Sequence, residues 1–273
     1  MTIETGRSSS FDLEDERPFV HTSMMKLIGH VRELVRYPVK SMAGTTTESA
    51  FLGWHGLDGD RRFAFRRLGE RGGFPWLSAS RLPELLLYKP FGLDESTGEP
   101  LPTHVRTPNG SEVELRSTAL ESEIAERFRG PVELMQLKHG IFDDASVSVI
   151  SATTIARICR EANLEFDARR FRGNVLLETQ EPFEEDQWVG GRLLFGDSES
   201  GPAVSVTSRD VRCMMINLDP DTAKQEEGRV LKSVVRLNAN NAGVYGTVVQ
   251  TGTIHVGQTV SLVLPGQQLL NYS

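Results

Sequence analysis

The apolar positions fall into short runs, most with a two-residue beat. In LIGHVRELVRYPV (Leu27–Val39) apolar and polar residues alternate through the middle. TTTESAFL (Thr45–Leu52) is short and β-branched, and RRFAF (Arg61–Phe65) alternates after a glycine-rich corner at Gly56–Asp60. These are the patterns of strands with one buried face. VRTPNGSEVEL (Val105–Leu115) reads as a hairpin with Pro108, Asn109 and Gly110 in its turn, and strands at such spacing suggest a barrel or sandwich. The second half repeats the beat in NVLLET, GRLLFG, AVSVTS, VYGTVVQ, TIHVG and TVSLV.

Two segments change to a helical beat. Thr118 can cap a helix running to about Phe128, with Pro131 past its end. The strand SVSVI leads into Ser151, a natural N-cap for ATTIARICREAN, in which Ala152, Ile155, Ala156 and Cys159 share one face. That face assigns Cys159 to the core, where a free cysteine acts as a small hydrophobe. The chain thus reads as mainly β with a few helices, an α+β protein.

Composition narrows the function. The 273 residues are 38% hydrophobic and 25% charged, enough for one large domain or two intimately packed ones without staples. A net charge of −7 argues against nucleic-acid binding through the overall field. No apolar run approaches the roughly 20 residues of a membrane span. Residues 1–25 are polar and acidic, without a signal-like apolar stretch or a presequence's arginine richness, and are read as a flexible extension. Two cysteines in such a chain fit a reducing, cytoplasmic setting.

The candidate chemistry is local. Cys213 follows Arg212, which can favour a thiolate, yet a lone cysteine after a strand can equally be structural. No histidine sits at a zinc spacing from either cysteine, and no G-x-G-x-x-G opens a helix. YPVKSMAG places Lys40 and Ser41 between a strand and a glycine, where they could face an anion or simply be solvated. Ser151 offers free helix amides as a second anion seat. RRFRGN stacks Arg169, Arg170 and Arg172 before a strand, which fits an anionic ligand or a salt-bridge network.

Taken in order, YPVKS, GLDGDRRF, RFRGN, RC followed by DPDTA, and VYGTVVQTGTIHVGQTVSLV resemble the MOSC-domain proteins that carry an N-terminal MOSC β-barrel. These are relatives of the molybdenum cofactor sulfurase C-terminal domain and of the amidoxime-reducing component. The likeness covers about residues 27–264. It implies an N-terminal β-barrel-like domain over 26–117, a MOSC β-barrel over 118–265, a tail over 266–273, and a cofactor cleft between the two.

The resemblance also implies a molybdenum cofactor bound through its pyranopterin phosphate, with Cys213 as the metal's thiolate ligand, a soft donor suited to it. Lys40, Ser41 and Arg61 then fall to the phosphate and pterin. Arg172 and Asn174 match the family's mid-chain motif, with Gly173 where proline is usual, and Ser151 is a further contact. Arg212 borders the ligand, and Asp219 lies near the metal's open face. The implied activity is reduction of N-hydroxylated small molecules, with electrons from a separate b-type cytochrome, ferredoxin or flavin reductase. The alternatives are a sulfur carrier or cofactor-handling module using a Cys213 persulfide, and a cofactor-binding domain without turnover.

Overall fold

The computed structural model describes residues 25–265 apart from 71, 97 and 199. The extension expected over 1–25, Met25 excepted, and the expected tail over 266–273 lie outside the described residues. The first strands are β1 (Met25–Arg36), β2 (Thr45–Thr47), β3 (Ser49–Gly53), β4 (Gly56–Leu57), β5 (Phe63–Arg67), β6 (Lys89–Phe91), β7 (His104–Arg106) and β8 (Glu112–Glu114). Helix α1 (Thr118–Phe128), β9 (Val132–Gln136), β10 (Val147–Ser151), α2 (Ala152–Ala162), β11 (Val175–Glu178), β12 (Arg192–Phe195) and β13 (Ala203–Val211) follow. Helix α3 (Arg229–Asn238), β14 (Asn241–Gln250), β15 (Gly252–His255) and β16 (Thr259–Val263) complete the described chain.

The large sheet runs β11-β10-β14-β13-β12-β16-β1 and closes because β1 also pairs with β11, giving a seven-stranded barrel. Strand β1 reaches both neighbours by bending: Met25–His30 pair with β16 and His30–Leu34 with β11. Gly29 marks the bend. A Cβ there would lie 2.0 Å from the Glu178 carbonyl oxygen, so no side chain fits. Register irregularities on either side bury Ile28, Val31 and Leu34 at a spacing of three. The alternation expected in this stretch therefore gives way to bulges.

The barrel interior is filled by β-branched and leucine side chains such as Val31, Val149, Leu177, Val204 and Val260. A second core joins Phe63 and Phe65 of β5 to Leu120 and Ile124 of α1, with Leu85, Tyr88 and Leu101 between them. Paired with β5 is β9, while β6, β7 and β8 form a separate meander. Its β7–β8 hairpin is the expected one, with Asn109 Oδ1 accepting from the Ser111 amide at 3.0 Å. On the barrel's flank α2 and α3 enclose Ile155, Ile158, Cys159, Phe171, Val230 and Val234, so Cys159 is in the core as expected. Among the described residues no helix is long and apolar enough to cross a membrane.

The cap of α1 is Ser117, not Thr118. The Ser117 backbone is extended (φ −93°, ψ 147°), and its hydroxyl accepts from the Leu120 amide at 3.3 Å. Thr118 is already helical and cannot fill that role. Helix α3 was not anticipated. Glycine 228 precedes it without a side-chain cap and Ala239 ends it in the left-handed region, so it carries neither customary end signal.

The start of α2 matches expectation. Ser151 Oγ accepts from the Thr153 and Thr154 amides at 3.1 and 3.4 Å and bonds Thr179 Oγ1 at 2.7 Å. Beside it lies the fully buried carboxyl of Glu185, which accepts from Thr154 Oγ1 at 2.9 Å and, more weakly, from the Ser151 amide at 3.5 Å. Burial outweighs these bonds and pushes Glu185 up to about 7 from 4.5.

Two outcomes follow for stability. Ser117→Ala should cost about 1 kcal/mol in denaturant unfolding, and Thr118→Ala a few tenths. The raised Glu185 value favours the fold fully below pH 4.5, and that favour is lost as pH rises through 7. Glu185→Gln should therefore stabilise the protein at pH 8, by up to about 3 kcal/mol, and the gain should vanish towards pH 4.5.

Candidate functional site

One cavity of about 330 Å³ gathers residues from both cores. Lys40 and Ser41 come from the turn after β1, and Arg61 from the turn before β5. The barrel contributes Ser148, Arg172, Asp210, Arg212, Cys213 and Tyr245, and the segment between β9 and β10 contributes Asp143 and Asp144. Five basic side chains, Arg170 included, face three carboxylates here.

The turn positions are fixed by one buried network. Tyr37 N donates to Asp60 Oδ1 at 2.7 Å, and Arg61 N donates back to Tyr37 O at 2.8 Å. Arg61 Nη1 pairs with Asp60 Oδ2 at 2.5 Å and reaches Asn174 Oδ1 at 3.1 Å, while Nη2 donates to Arg172 O at 2.9 Å. Its Nε pairs with Asp143. Burial alone would lower Arg61, but Asp60 and Asp143 hold it above the ordinary arginine value. Asn174 accepts from the Ser148 amide and donates to Val35 O, so it ties β1 to β10.

The three arginines of RRFRGN divide between the two readings their sequence allows. Arg169 pairs with Asp167 and Asp221, and Arg170 with Asp219 and Glu226. Arg172 differs. It stacks 4.1 Å over the Tyr37 ring and donates to Met42 O at 2.8 Å, with no carboxylate in ion-pairing range among the described residues. Desolvation brings it down to about 10. A buried cation without a counter-ion is costly.

On the barrel side β13 bulges between Arg209 and Val211 just before the chain leaves the sheet, the kind of irregularity that re-aims side chains. Arg212 donates from Nε to Ala242 O and from Nη1 to Phe171 O, both at 2.7 Å. Its Nη2 lies 2.9 Å from Asp210 Oδ2, yet off the line a hydrogen bond needs, leaving a buried donor without an acceptor. Gly243, at φ +85°, permits this arrangement, because a Cβ there would press on Val149 O at 2.8 Å and Arg212 Nη2 at 3.1 Å. Cys213 follows as an exposed free thiol on the cavity wall.

Of the residues singled out from the sequence, the cavity lining brings together Lys40, Ser41, Arg61, Arg172, Arg212 and Cys213. Asn174 stands behind Arg61. Ser151 is outside the lining, its amide turned to Glu185. Asp219 is also outside, held by Arg170 at 3.0 Å and by the Thr222 amide at 2.8 Å. Sequence reasoning missed Asp143, Asp210, Ser148 and Tyr245. The last three lie on strands whose pattern announced only burial, and no local signal marks Asp143 as the partner of Arg61.

The donor set suits an anionic group with a soft metal nearby. Arg172 lacks a counter-ion, Arg212 has a spare buried N–H, and a thiol shares the wall. Among the described residues no three His, Cys, Asp or Glu side chains converge as a metal cage.

Residues 136–261 match the family described as MOSC domain. No curated protein matched. Among solved structures the chain is similar to the YuaD protein from Bacillus subtilis, at 13% identity over 88% of this chain and 97% of that one, TM-score 0.46. It is also similar to YiiM from Geobacillus stearothermophilus, at 19% identity over 44% and 54%, TM-score 0.35. For YiiM from Escherichia coli the values are 15%, 46% and 57%, TM-score 0.33. The match places a MOSC domain within residues 136–261, of a family associated with binding the molybdenum cofactor.

Proposed function

We propose that the cavity holds the molybdenum cofactor by its pyranopterin phosphate, with Cys213 as the thiolate ligand. In this reading the protein reduces N-hydroxylated small molecules, with electrons from a separate b-type cytochrome, ferredoxin or flavin reductase, in a cytoplasmic setting. The observation that carries it is Arg172, a half-buried cation with no carboxylate in ion-pairing range among the described residues, in the same wall as an exposed cysteine. Such a site is completed by an anion reaching towards a thiol.

Lys40, Ser41, Arg61, Arg172 and Arg212 would bind and orient the anionic end, replacing its hydration with fixed donors. The cofactor, when bound, supplies two-electron oxygen-atom chemistry at its metal. Reduction of an N–OH group consumes two electrons and two protons and releases water. Burial raises both Asp210 and Tyr245 above their ordinary values, and the Asp210 carboxylate raises Tyr245 further, so the phenol keeps its proton at the cavity wall. Asp219 acts on the site through Arg170, which it pairs and which lines the cavity. Asn174 and Ser151 serve behind the lining, Asn174 by fixing Arg61 and Ser151 by fixing the start of α2.

Elemental analysis of protein made in a host that synthesises the cofactor should find near-stoichiometric molybdenum. Cys213→Ala should lose it with the fold intact by circular dichroism, and Cys159→Ala should keep it at a cost of about 1 kcal/mol in stability. Metal in Cys213→Ala would overturn the ligand assignment. Molybdenum-free wild type with sulfane sulfur on Cys213 would replace the reductase by a sulfur carrier.

A further inference from the structure

The cationic corner of the cavity already holds an anion, and it is part of the chain. Asp143 Oδ2 pairs with Arg61 Nε, and Oδ1 lies 3.6 Å from Lys40 Nζ. Three of the other four N–H donors of the Arg61 guanidinium are committed, to Asp60, Asn174 and the Arg172 carbonyl. Nε, on the cavity side of this network, is occupied by Asp143. Lys40 is similarly engaged: besides Asp143 it donates to Phe142 O at 2.7 Å.

The backbone around Asp143 is pinned, while its side chain is held by the two cations and one local amide. Phe142 N donates to Arg61 O at 2.9 Å, and the Phe142 ring meets Trp76 edge-on at 4.6 Å. No hydrogen bond from the neighbouring side chains holds the Asp143 carboxylate apart from the two cations, and its remaining contact is the local Asp144 amide at 3.0 Å. A second anion cannot share the corner while the carboxylate stays, because like charges a few ångströms apart in a partly desolvated site repel strongly.

We infer that Asp143 is a built-in competitor for the anionic group of the cavity's ligand. Its carboxylate neutralises Lys40 and Arg61 in the empty protein, and a phosphate group gains those two donors only by displacing it. The arrangement keeps two cations compensated before loading and selects against weak monoanions, since only a ligand that brings more charge or further contacts offsets the lost pairs. This rests on the reading of the cavity as a phosphate site, and does not depend on the metal or the reaction.

The test is titration of inorganic phosphate into the full chain made in a host lacking the cofactor, by calorimetry and by thermal shift. Asp143→Asn should bind phosphate at least tenfold more tightly than wild type. It should melt lower without phosphate and gain more from it. Asp144→Asn removes the same charge from the same lining without breaking the Lys40 and Arg61 pairs, and should change affinity less than threefold. Arg172→Met should abolish the phosphate response in either background. If Asp143→Asn fails to fold, Asp143→Ser is read in the same way. Equal or weaker binding by the Asp143 variants, with wild type still binding, would overturn the inference and leave the phosphate site standing. No phosphate response in any variant would overturn both.

Discussion

The placement of Arg61 is the constraint on which the site depends. A guanidinium taken out of water must have its donors satisfied and its charge answered, and leaving either undone costs several kcal/mol. Here the partners come from three places in the chain: Asp60 beside it, Asn174 and the Arg172 carbonyl at the entrance to β11, and Asp143 before β10. Satisfying one cation therefore brings the turn carrying Lys40 and Ser41 against the barrel. Asn174 extends the tie to Ser148 and Val35, so the same network also fixes where β1 meets β10. The cavity is the space this network encloses.

An acidic chain builds a cationic cavity by answering some charges and withholding answers from others. Arg169 and Arg170 are each matched by two carboxylates. Arg61 is matched by Asp60 and Asp143. Arg172, three residues from Arg169, has only a carbonyl and an aromatic face. A face of Tyr37 gives some return through its quadrupole, but desolvation dominates, as the lowered value for Arg172 indicates. A deficit of this kind in one place, in a chain with 37 acidic residues against 30 basic, reflects the local arrangement of partners and not the overall composition.

Much of this was legible in the sequence because burial leaves a periodic mark. The β-rich pattern, the α2 face with Cys159 inward, the hairpin at Pro108–Gly110 and the division into strand-borne motifs all follow from two-residue and 3.6-residue spacing. The candidates Lys40, Ser41, Arg61, Arg172, Arg212 and Cys213, which line the cavity, came instead from motifs at strand ends and from the family resemblance those motifs carry. The misses have physical causes. Helix α3 lacks both end signals, and bulges in β1 replaced alternation with a spacing of three. Ser117 took the cap because Thr118 is already helical. Asp143 acts through Arg61 and Lys40, distant in the chain, and no local spacing encodes such a pairing; Asp210 lies beside Arg212 in a strand whose pattern announced only burial.

The depth of the groups around the cavity separates holding from reacting. The cations that can bind an anion are buried (Arg61, Arg212) or half-buried (Lys40, Arg172) and fixed by bonds to backbone carbonyls at 2.7–2.9 Å, so their positions vary little. Cys213 is exposed and follows a bulged strand end, with only a short 3₁₀ turn after it. A ligand anchored by its anionic end among fixed donors would present its other end towards solvent beside the thiol. Pre-organisation at the anchored end lowers the ordering cost of binding, while openness at the thiol leaves room for a second molecule.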